Sequence, residues 1–429
     1  MAATRHRDRD DTLRAWPVLA VLCGVACAAA RADGLRIPEI NLEIEGLADL
    51  RVVVPSNEMS YLDGGLGKLR WGTSEPHPAL GPQVGGMYLR GILGITPELV
   101  AVADIRADTQ QQNPFDVIDA FVRWRPVSTS PWRWSVKAGA FEVPVSLENT
   151  GIGWTSEWTL TPSAINSWIG DELRTIGTEA SLEWRGDVDH LQILGSAFAW
   201  NQPAGVAMAE RGWTFDDHPT ALFDRLRLPN IVQQQLTRPG NPVARRFALE
   251  FDQINSSPGW YAGVSWERTD LGRLALLRYD NLANPATFDR QFAWRTKFWS
   301  LGYSTDIPTP LGDIVLLAQG MIGSTVITPR GTPSTTDFYG FYALVGLERG
   351  DWRYALRVDR FGTDEDFPKP TLHEHGASGT AAVTWAPMKW LHVVGEVLVA
   401  DYWRNQRTLE GLPPHAVETQ VQVAVRLSF

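Results

Sequence analysis

The charged side chains able to do chemistry in this 429-residue chain gather in two segments. Residues 143–173 read VPVSLENTGIGWTSEWTLTPSAINSWIGDEL and hold Glu148, Glu157, Asp171 and Glu172, with no basic residue before Arg174. Carboxylates lining a narrow passage create a field that favours cations, as acidic rings do in cation channels; the plainer account is solvated surface charge. Trp154, Trp158 and Trp168 in the same segment can anchor it against a wall. The second segment carries Arg268, Arg273, Arg278, Asp280 and Arg290 and runs into FAWRTKF at 292–298. There Ala293, Arg295 and Lys297 alternate with Phe292, Trp294, Thr296 and Phe298. With Arg123, Arg125, Arg133, Lys137, Arg353, Arg357 and Arg426 they can form a basic track facing the acids, or pair with Glu on neighbouring strands.

Covalent chemistry finds little support. No GxSxG elbow, HExxH pair, P-loop or dinucleotide fingerprint occurs. His373 and His375 flank Glu374, a pattern able to ligate a metal, although three polar loop residues are more simply solvated. Asp364, Glu365 and Asp366 suit a divalent cation bridging lipopolysaccharide, or merely a charged loop tip. No catalytic residue, metal or cofactor is expected, and the chain does not read as an enzyme.

The elements that must position these residues are strands. Residues 417–429 alternate without a break: Val417, Thr419, Val421, Val423, Val425, Leu427 and Phe429 on one face, Glu418, Gln420, Gln422, Ala424, Arg426 and Ser428 on the other. About ten such residues, tilted, cross a hydrocarbon core. Similar alternation occurs at 132–140, 176–184, 246–252 and 352–359, with charged sets such as Arg133 and Lys137, or Arg353, Arg357 and Asp359, on one face. An Arg at the bilayer midplane costs roughly 2–4 kcal/mol, so these sets face a wet interior. Tight turns are expected at 96–98, 126–131, 186–189, 255–258, 306–312, 350–351 and 387–388. Longer polar connections are expected at 55–83, 109–114, 143–172, 201–244, 270–290, 325–337, 362–376 and 401–416. Seven turns and eight loops join sixteen strands, a size that encloses an aqueous channel. The segment 273–281, RLALLRYDN, is where a hairpin error giving 14 or 18 strands would arise. Trp124, Trp132, Trp184, Trp260, Trp352, Trp385 and Trp390 all neighbour short turns, as a periplasmic aromatic girdle requires; the competing use is a platform for stacking sugars.

Arg5, Arg7, Arg9 and Arg14, the apolar run 16–30 and Ala30-Arg31-Ala32 read as a secretory signal peptide over 1–32. Cys23 and Cys27 both fall inside it, so no disulfide follows. Lipid anchoring at Cys27 is the lesser alternative, since no Leu precedes it at the required position. Beyond residue 32 the chain holds 34 basic and 46 acidic residues, a net charge of −12 that argues against nucleic acid. A mean hydropathy of −0.17 suits a barrel that offers lipid only alternate positions. The expected organisation is therefore an all-β, transmembrane antiparallel β-barrel of 16 strands at 46–429, with loop 143–172 folded inward and a short periplasmic segment at 33–45. Constriction candidates are Glu148, Glu157, Asp171, Glu172, Arg174, Arg278 and Asp280. Basic lumen-wall candidates are Arg123, Arg133, Lys137, Arg295, Lys297, Arg353 and Arg357.

The order FEVPVSLEN, SAINSWIGDELRTIGTEASLEW, RLALLRYDN, FAWRTKF and a terminal Phe429 resembles the porin O and P family of outer-membrane porins. The resemblance is spread loosely over most of the chain beyond the leader. It implies a porin in the bacterial outer membrane, passing small solutes or ions, with outer-membrane lipid, lipopolysaccharide and the barrel-assembly machinery as partners. A terminal aromatic resembles the signal that machinery reads. A homotrimer follows by analogy with sixteen-stranded porins. That family's anion selectivity rests on pore arginines and on lysines near the constriction, whereas the third loop here is acidic and lacks lysine. A passive diffusion channel is the leading expectation. A closed barrel acting as receptor, adhesin or membrane enzyme, motivated by the long connection 201–244, and a secreted sugar-binding β-protein are the alternatives.

Overall fold

The structure, a computed structural model, describes residues 34–75, 79–111, 113–230, 247–366 and 373–429; the expected leader lies outside them. Among the described residues sixteen strands form one antiparallel barrel. They are β1 (Leu42–Val54), β2 (Gly81–Gly94), β3 (Leu99–Ala107), β4 (Phe115–Trp124), β5 (Trp132–Glu142), β6 (Arg174–Arg185), β7 (Asp189–Ala199) and β8 (Gly259–Arg268). The other half comprises β9 (Gly272–Asp280), β10 (Arg295–Thr309), β11 (Gly312–Ile327), β12 (Ser334–Arg349), β13 (Trp352–Asp366), β14 (Glu374–Met388), β15 (Leu391–Arg404) and β16 (His415–Ser428). Each strand pairs with its sequence neighbours, and β16 closes the ring on β1 with Leu50 opposite Val425 and Val54 opposite Val421. Closure removes every edge, which is what lets a sheet cross lipid.

The last strand behaves as its alternation dictates. Val417, Val421, Val423 and Val425 are exposed on the outside, while Glu418, Gln420, Gln422 and Arg426 are buried inside. Phe429 exchanges both backbone hydrogen bonds with Gly46, at 3.0 and 3.1 Å. Its ring covers Gly46 so closely that a Cβ there would lie 2.3 Å from Phe429 Cε1. The chain end is thus sealed onto the first strand. β1 starts at Leu42, ahead of the expected residue 46, and Leu35–Ile37 folds back to pair with it.

Eight long connections, numbered loops 1 to 8 in chain order, lie at one end of the barrel, and their described residues are 55–75 with 79–80, 108–111 with 113–114, 143–173, 200–230 with 247–258, 281–294, 328–333, 373 and 405–414; tight turns occupy the other end. One expected hairpin is misplaced. Residues 255–258 end loop 4, and the turn lies instead at 269–271, between β8 and β9. The alternating Phe247, Leu249 and Phe251 are no barrel strand: Phe247–Ala248 pairs with Leu226–Arg227 within loop 4. RLALLRYDN is the strand that was not counted, so the total of sixteen survives two compensating errors. A few alternating residues look the same in a loop ladder and in a spanning strand. The shift also moves Trp260 to the loop side, opposite Asp280. Trp124, Trp352 and Trp385 remain in an outward girdle at the turn side, where Trp352 and Trp385 lie 6.1 Å apart and Trp134, not among the expected set, packs 4.6 Å from Trp124.

The apolar core lies inside the barrel. Loops 1, 3 and 4 fold into its loop-side half and bring Leu69, Ile165, Trp168, Trp213 and Phe215 against the wall residues Tyr279, Phe298, Phe338, Tyr342 and Phe361. Loop 3 contains helix α1 (Ala164–Glu172), started by Ser163, whose hydroxyl accepts from Asn166 N. Every α1 residue is buried, which amphipathic patterning does not anticipate and enclosure by the barrel explains. Loop 4 contains the five-residue helix α2 (Val206–Glu210).

Candidate functional site: the lumen and its inward loops

Loop 3 is seated by glycines and by one arginine. A Cβ at Gly302 would meet Leu147 at 2.7 Å, one at Gly340 would meet Ile165 at 2.9 Å, and one at Gly346 would meet Trp158 at 2.4 Å. These lumen-wall glycines are sockets for loop side chains. Arg357, inward on β13 and fully buried, donates to Glu148 Oε1 at 2.6 Å, to the Thr161 carbonyl at 2.7 Å and to the Pro162 carbonyl at 3.0 Å. Its Nε donates to Asp359 at 3.0 Å. Glu148 also accepts from Ser163 N at 2.9 Å and Asn166 Nδ2 at 3.1 Å. Glu148 is therefore a structural clasp, with no lone pair left over for a passing ion.

Loops 1 and 4 are held by a second ionic network. Asp217 of loop 4 bridges Arg51 on β1 and Arg70 of loop 1, the latter at 2.9 Å; Arg70 also reaches Asp108 at 2.8 Å. Lys68 of loop 1 contacts Glu374 on β14 at 2.6 Å, and its backbone N–H donates to Glu418 at 2.7 Å. Removing one partner of such buried pairs is strongly destabilising because the other charge stays behind. Burial, helped by Arg106, holds His218 well below the ordinary imidazole range and therefore neutral.

Where loops 3 and 4 meet, the acids do not act as a ring of charge. Glu172 Oε1 accepts from Gly205 N at 3.1 Å and Ala207 N at 2.8 Å, capping α2. Asp171 pairs with Arg211. Burial and the neighbouring Asp216 nevertheless push the Asp171 carboxyl well above the usual range, and burial with Glu172 and Asp171 does the same to Glu250. Glu148, Asp171 and Glu172 are engaged by Arg357, Arg211 and backbone N–H groups rather than lining a passage, so the expected cation-selective ring is corrected. Glu157, by contrast, is exposed. Arg174 is buried between Glu142 at 3.0 Å and Asp119 at 3.5 Å.

The lumen is open toward the turns beside β4–β8, whereas along β12–β16 loop 3 reaches almost to the turn-side end, where the Ser156 carbonyl accepts from Arg426 at 3.1 Å and Trp158 covers Gly346. Arg123 is exposed and Arg133 half-buried; Lys137 pairs with Glu179 at 3.2 Å, and Arg353 with Glu348 at 3.2 Å. A cavity of about 100 Å³ there is lined by Glu183, Arg185, Gln192, Ser265, Glu267 and Arg273, among others. The expected basic wall thus keeps Arg123, Arg133, Lys137 and Arg353, and Arg357 is inside but sealed under loop 3. Three candidates are corrected outright. Thr296 and Phe298 are the buried, inward residues of FAWRTKF, so Arg295 and Lys297 point outward and are exposed. Arg278 is likewise outward, over the Trp299 ring at 5.3 Å. Asp280, expected at a constriction, accepts from Leu282 N at 2.9 Å and Arg295 at 3.3 Å at the barrel rim. In the His373-Glu374-His375 trio, Glu374 is buried inside while His375 is exposed outside. Among the described residues no three His, Cys, Asp or Glu groups converge to hold a metal.

No protein-family model matches the chain, and no curated protein matches it. Solved structures do. OmpF of Salmonella typhi, in complex with daunomycin, superposes with a TM-score of 0.52 at 13% identity, over 92% of this chain and 100% of that one. A loop L8 deletion mutant of OmpT, an outer-membrane protein of Vibrio cholerae, gives 0.49 at 7% identity, over 90% and 99% of the two chains. An anion-selective porin from Comamonas acidovorans gives 0.43 at 12% identity, over 90% and 99%. The chain is a closed, sixteen-stranded outer-membrane β-barrel. Its closed wall, apolar outside and charged inside, independently requires that location.

The residues of this barrel that sequence reasoning passed over lie in loops 1 and 4. Lys68, Arg70, Arg211, Asp216, Asp217 and His218 are all buried in the lumen. A signal existed: residues 204–223, AGVAMAERGWTFDDHPTALF, are too apolar for a loop surrounded by water.

Proposed function

We propose that the protein is an outer-membrane channel for small ions and hydrophilic solutes, not an enzyme, whose lumen is throttled by loops 1, 3 and 4. The observation that carries this reading is the division of the lumen into two parts. The part beside β4–β8 toward the turns is lined by Arg123, Arg133, Lys137, Glu179 and Glu183, which keep contact with solvent; the remainder is filled by loops rather than by the wall itself. A wall of sixteen strands encloses an aqueous channel unless something plugs it. A plug made of tethered loops can shift without breaking the barrel. Solutes are then selected by the width left beside loop 3 and by the mixed charges of the open part.

Kinship with the porin O and P family belongs to the same proposal and rests on the motif order. Because Arg295 and Lys297 face outward, any preference for anions falls to Arg123, Arg133 and Lys137. Assembly as a homotrimer, and recognition of Phe429 by the barrel-assembly machinery, are part of the reading as well.

The test is reconstitution in planar bilayers. Small ion-conducting steps are expected from the native chain, and larger ones when loop 3 is released by Arg357→Gln. Silence from both would sink the channel reading. It would favour the second one, a closed barrel serving as receptor, adhesin or membrane enzyme, to which the packed part of the lumen gives its weight.

A further inference from the structure

Three cations on the outside of the barrel have no role in a channel. On β9 and β10 the inner positions are taken by Tyr279 and Phe298, both fully buried and stacked 5.0 Å apart. Alternation then forces Arg278, Arg295 and Lys297 outward, and a one-residue slip would turn both buried rings toward lipid. Arg295 is the first and Lys297 the third residue of β10, and Arg278 lies two residues before the end of β9. All three therefore sit at the loop-side rim, where the hydrocarbon gives way to headgroups.

The surroundings select the ligand. Trp260 and Trp299, 39% and 47% exposed, flank the patch as interfacial aromatics do. Arg278 lies over the Trp299 ring, and Arg295 shares Asp280. Among the described residues neither Arg278 nor Lys297 has a carboxylate within 4.0 Å. The patch thus holds three cations against one acid. Two neighbouring cations without a counter-charge are unfavourable beside lipid, and an anion in the headgroup layer removes that penalty. The patch is bounded on one side. Across β11, at the level of Lys297, the outward Asp337 lies opposite the outward Asp364 on the next strand, and those carboxylates repel the same anion.

We propose that Arg278, Arg295 and Lys297 form a binding site for the phosphate groups of a phosphorylated glycolipid of the outer leaflet, with Trp260 and Trp299 packed at its sugar-acyl boundary. Arg278 supplies the planar fork that phosphate accepts, and Lys297 supplies a point charge. The site stands whether or not the lumen conducts.

The full chain in detergent is offered bisphosphorylated lipid A, the same lipid dephosphorylated, phosphatidylglycerol, or inorganic phosphate, and retained lipid is read by native mass spectrometry. Lipid A is retained, and its dephosphorylated form and phosphatidylglycerol bind at least about tenfold more weakly. Arg278→Gln combined with Lys297→Gln costs about tenfold or more in lipid A retention, while Lys297→Arg keeps it. Heat-modifiable mobility confirms that each variant forms a barrel; should the double variant not assemble, each single substitution carries the test with a smaller loss. Equal retention of the two lipid A forms overturns the proposal, as does unchanged retention in the variants. Competition by inorganic phosphate as strong as by lipid A reassigns the site to a free anion and overturns the lipid. Loss of oligomer mass with lipid retention intact assigns the patch to a contact between copies, and also overturns it.

Discussion

Replacing Arg357 by Gln isolates the contact between loop 3 and the barrel wall. The guanidinium reaches four loop 3 acceptors, Glu148 at 2.6 Å, Thr161 at 2.7 Å, Pro162 at 3.0 Å and the Thr159 hydroxyl at 3.2 Å. Its Nε bond to Asp359 stays within β13 and does not hold the loop. Breaking a fully buried pair by deleting one partner costs about 3–5 kcal/mol. Glu148 keeps its bonds from Ser163 N, Asn166 and Thr159, which places the expected cost at the lower end, about 3 kcal/mol. That corresponds to roughly two orders of magnitude in the ratio of released to seated loop. The sheet ladder is untouched, so heat-modifiable mobility should still report a folded barrel. Hydrogen exchange across residues 143–173 should accelerate by a comparable factor, and conducting steps in planar bilayers should become larger or more frequent. Glu148→Gln, which keeps an acceptor oxygen opposite Arg357, should do the same more weakly. A folded Arg357→Gln barrel with native protection of loop 3 and native conductance would refute the view that this arginine seats the loop.

Three further outcomes are expected. Gly346→Val fills the socket of Trp158; overpacking of about 1–3 kcal/mol should raise hydrogen exchange at residues 154–160, and unchanged protection would mean that the socket is unimportant. Lys137→Glu places a third carboxylate beside Glu179 and Glu183 in the open part of the lumen and should move the reversal potential toward cations; an unmoved potential would exclude this wall from the conducting path. Burial, with Glu365 nearby, raises the Glu210 carboxyl from 4.5 to about 7. Below pH 4.5 folded and unfolded chains both hold that proton, and between 4.5 and about 7 only the folded one does. Stability at this site therefore falls as pH rises through that window and levels off above it. Exchange in residues 200–215, corrected for its intrinsic pH dependence, should increase from pH 5 to 7, and Glu210→Gln should flatten the profile; parallel profiles would remove Glu210 from the account.

Much of the wall was legible because a spanning strand advertises itself in period two. Residues 417–429, 132–140 and 352–359 each show one apolar and one polar set, and the structure turns the apolar set of each to the outside. The hairpin at 269–271 was missed because RLALLRYDN offers only Leu274 and Leu276 as apolar outward positions before the charged Arg278. The phase-ambiguous Phe247, Leu249 and Phe251 took its place.

The candidate site was less legible for a different reason. Carboxylates such as Glu148, Asp171 and Glu172 look alike in sequence whether they line water, clasp an arginine or cap a helix. Their partners Arg357, Arg211 and Gly205 lie 209, 40 and 33 residues away.

From the sequence alone came the outer-membrane location and the closed all-β wall, since each depends on local alternation and on the rule that lipid tolerates no unpaired backbone; the count of sixteen came out through two compensating errors, and the sealing of Phe429 onto Gly46 is visible only in the structure. Tertiary structure alone decided what fills the lumen and which face of FAWRTKF is inside. Alternation separates a strand into two faces without naming the environment of either. A wet lumen would have drawn in Arg295 and Lys297, but loops 1, 3 and 4 make the interior apolar at that level, so Phe298 is buried there and the cations face the membrane rim.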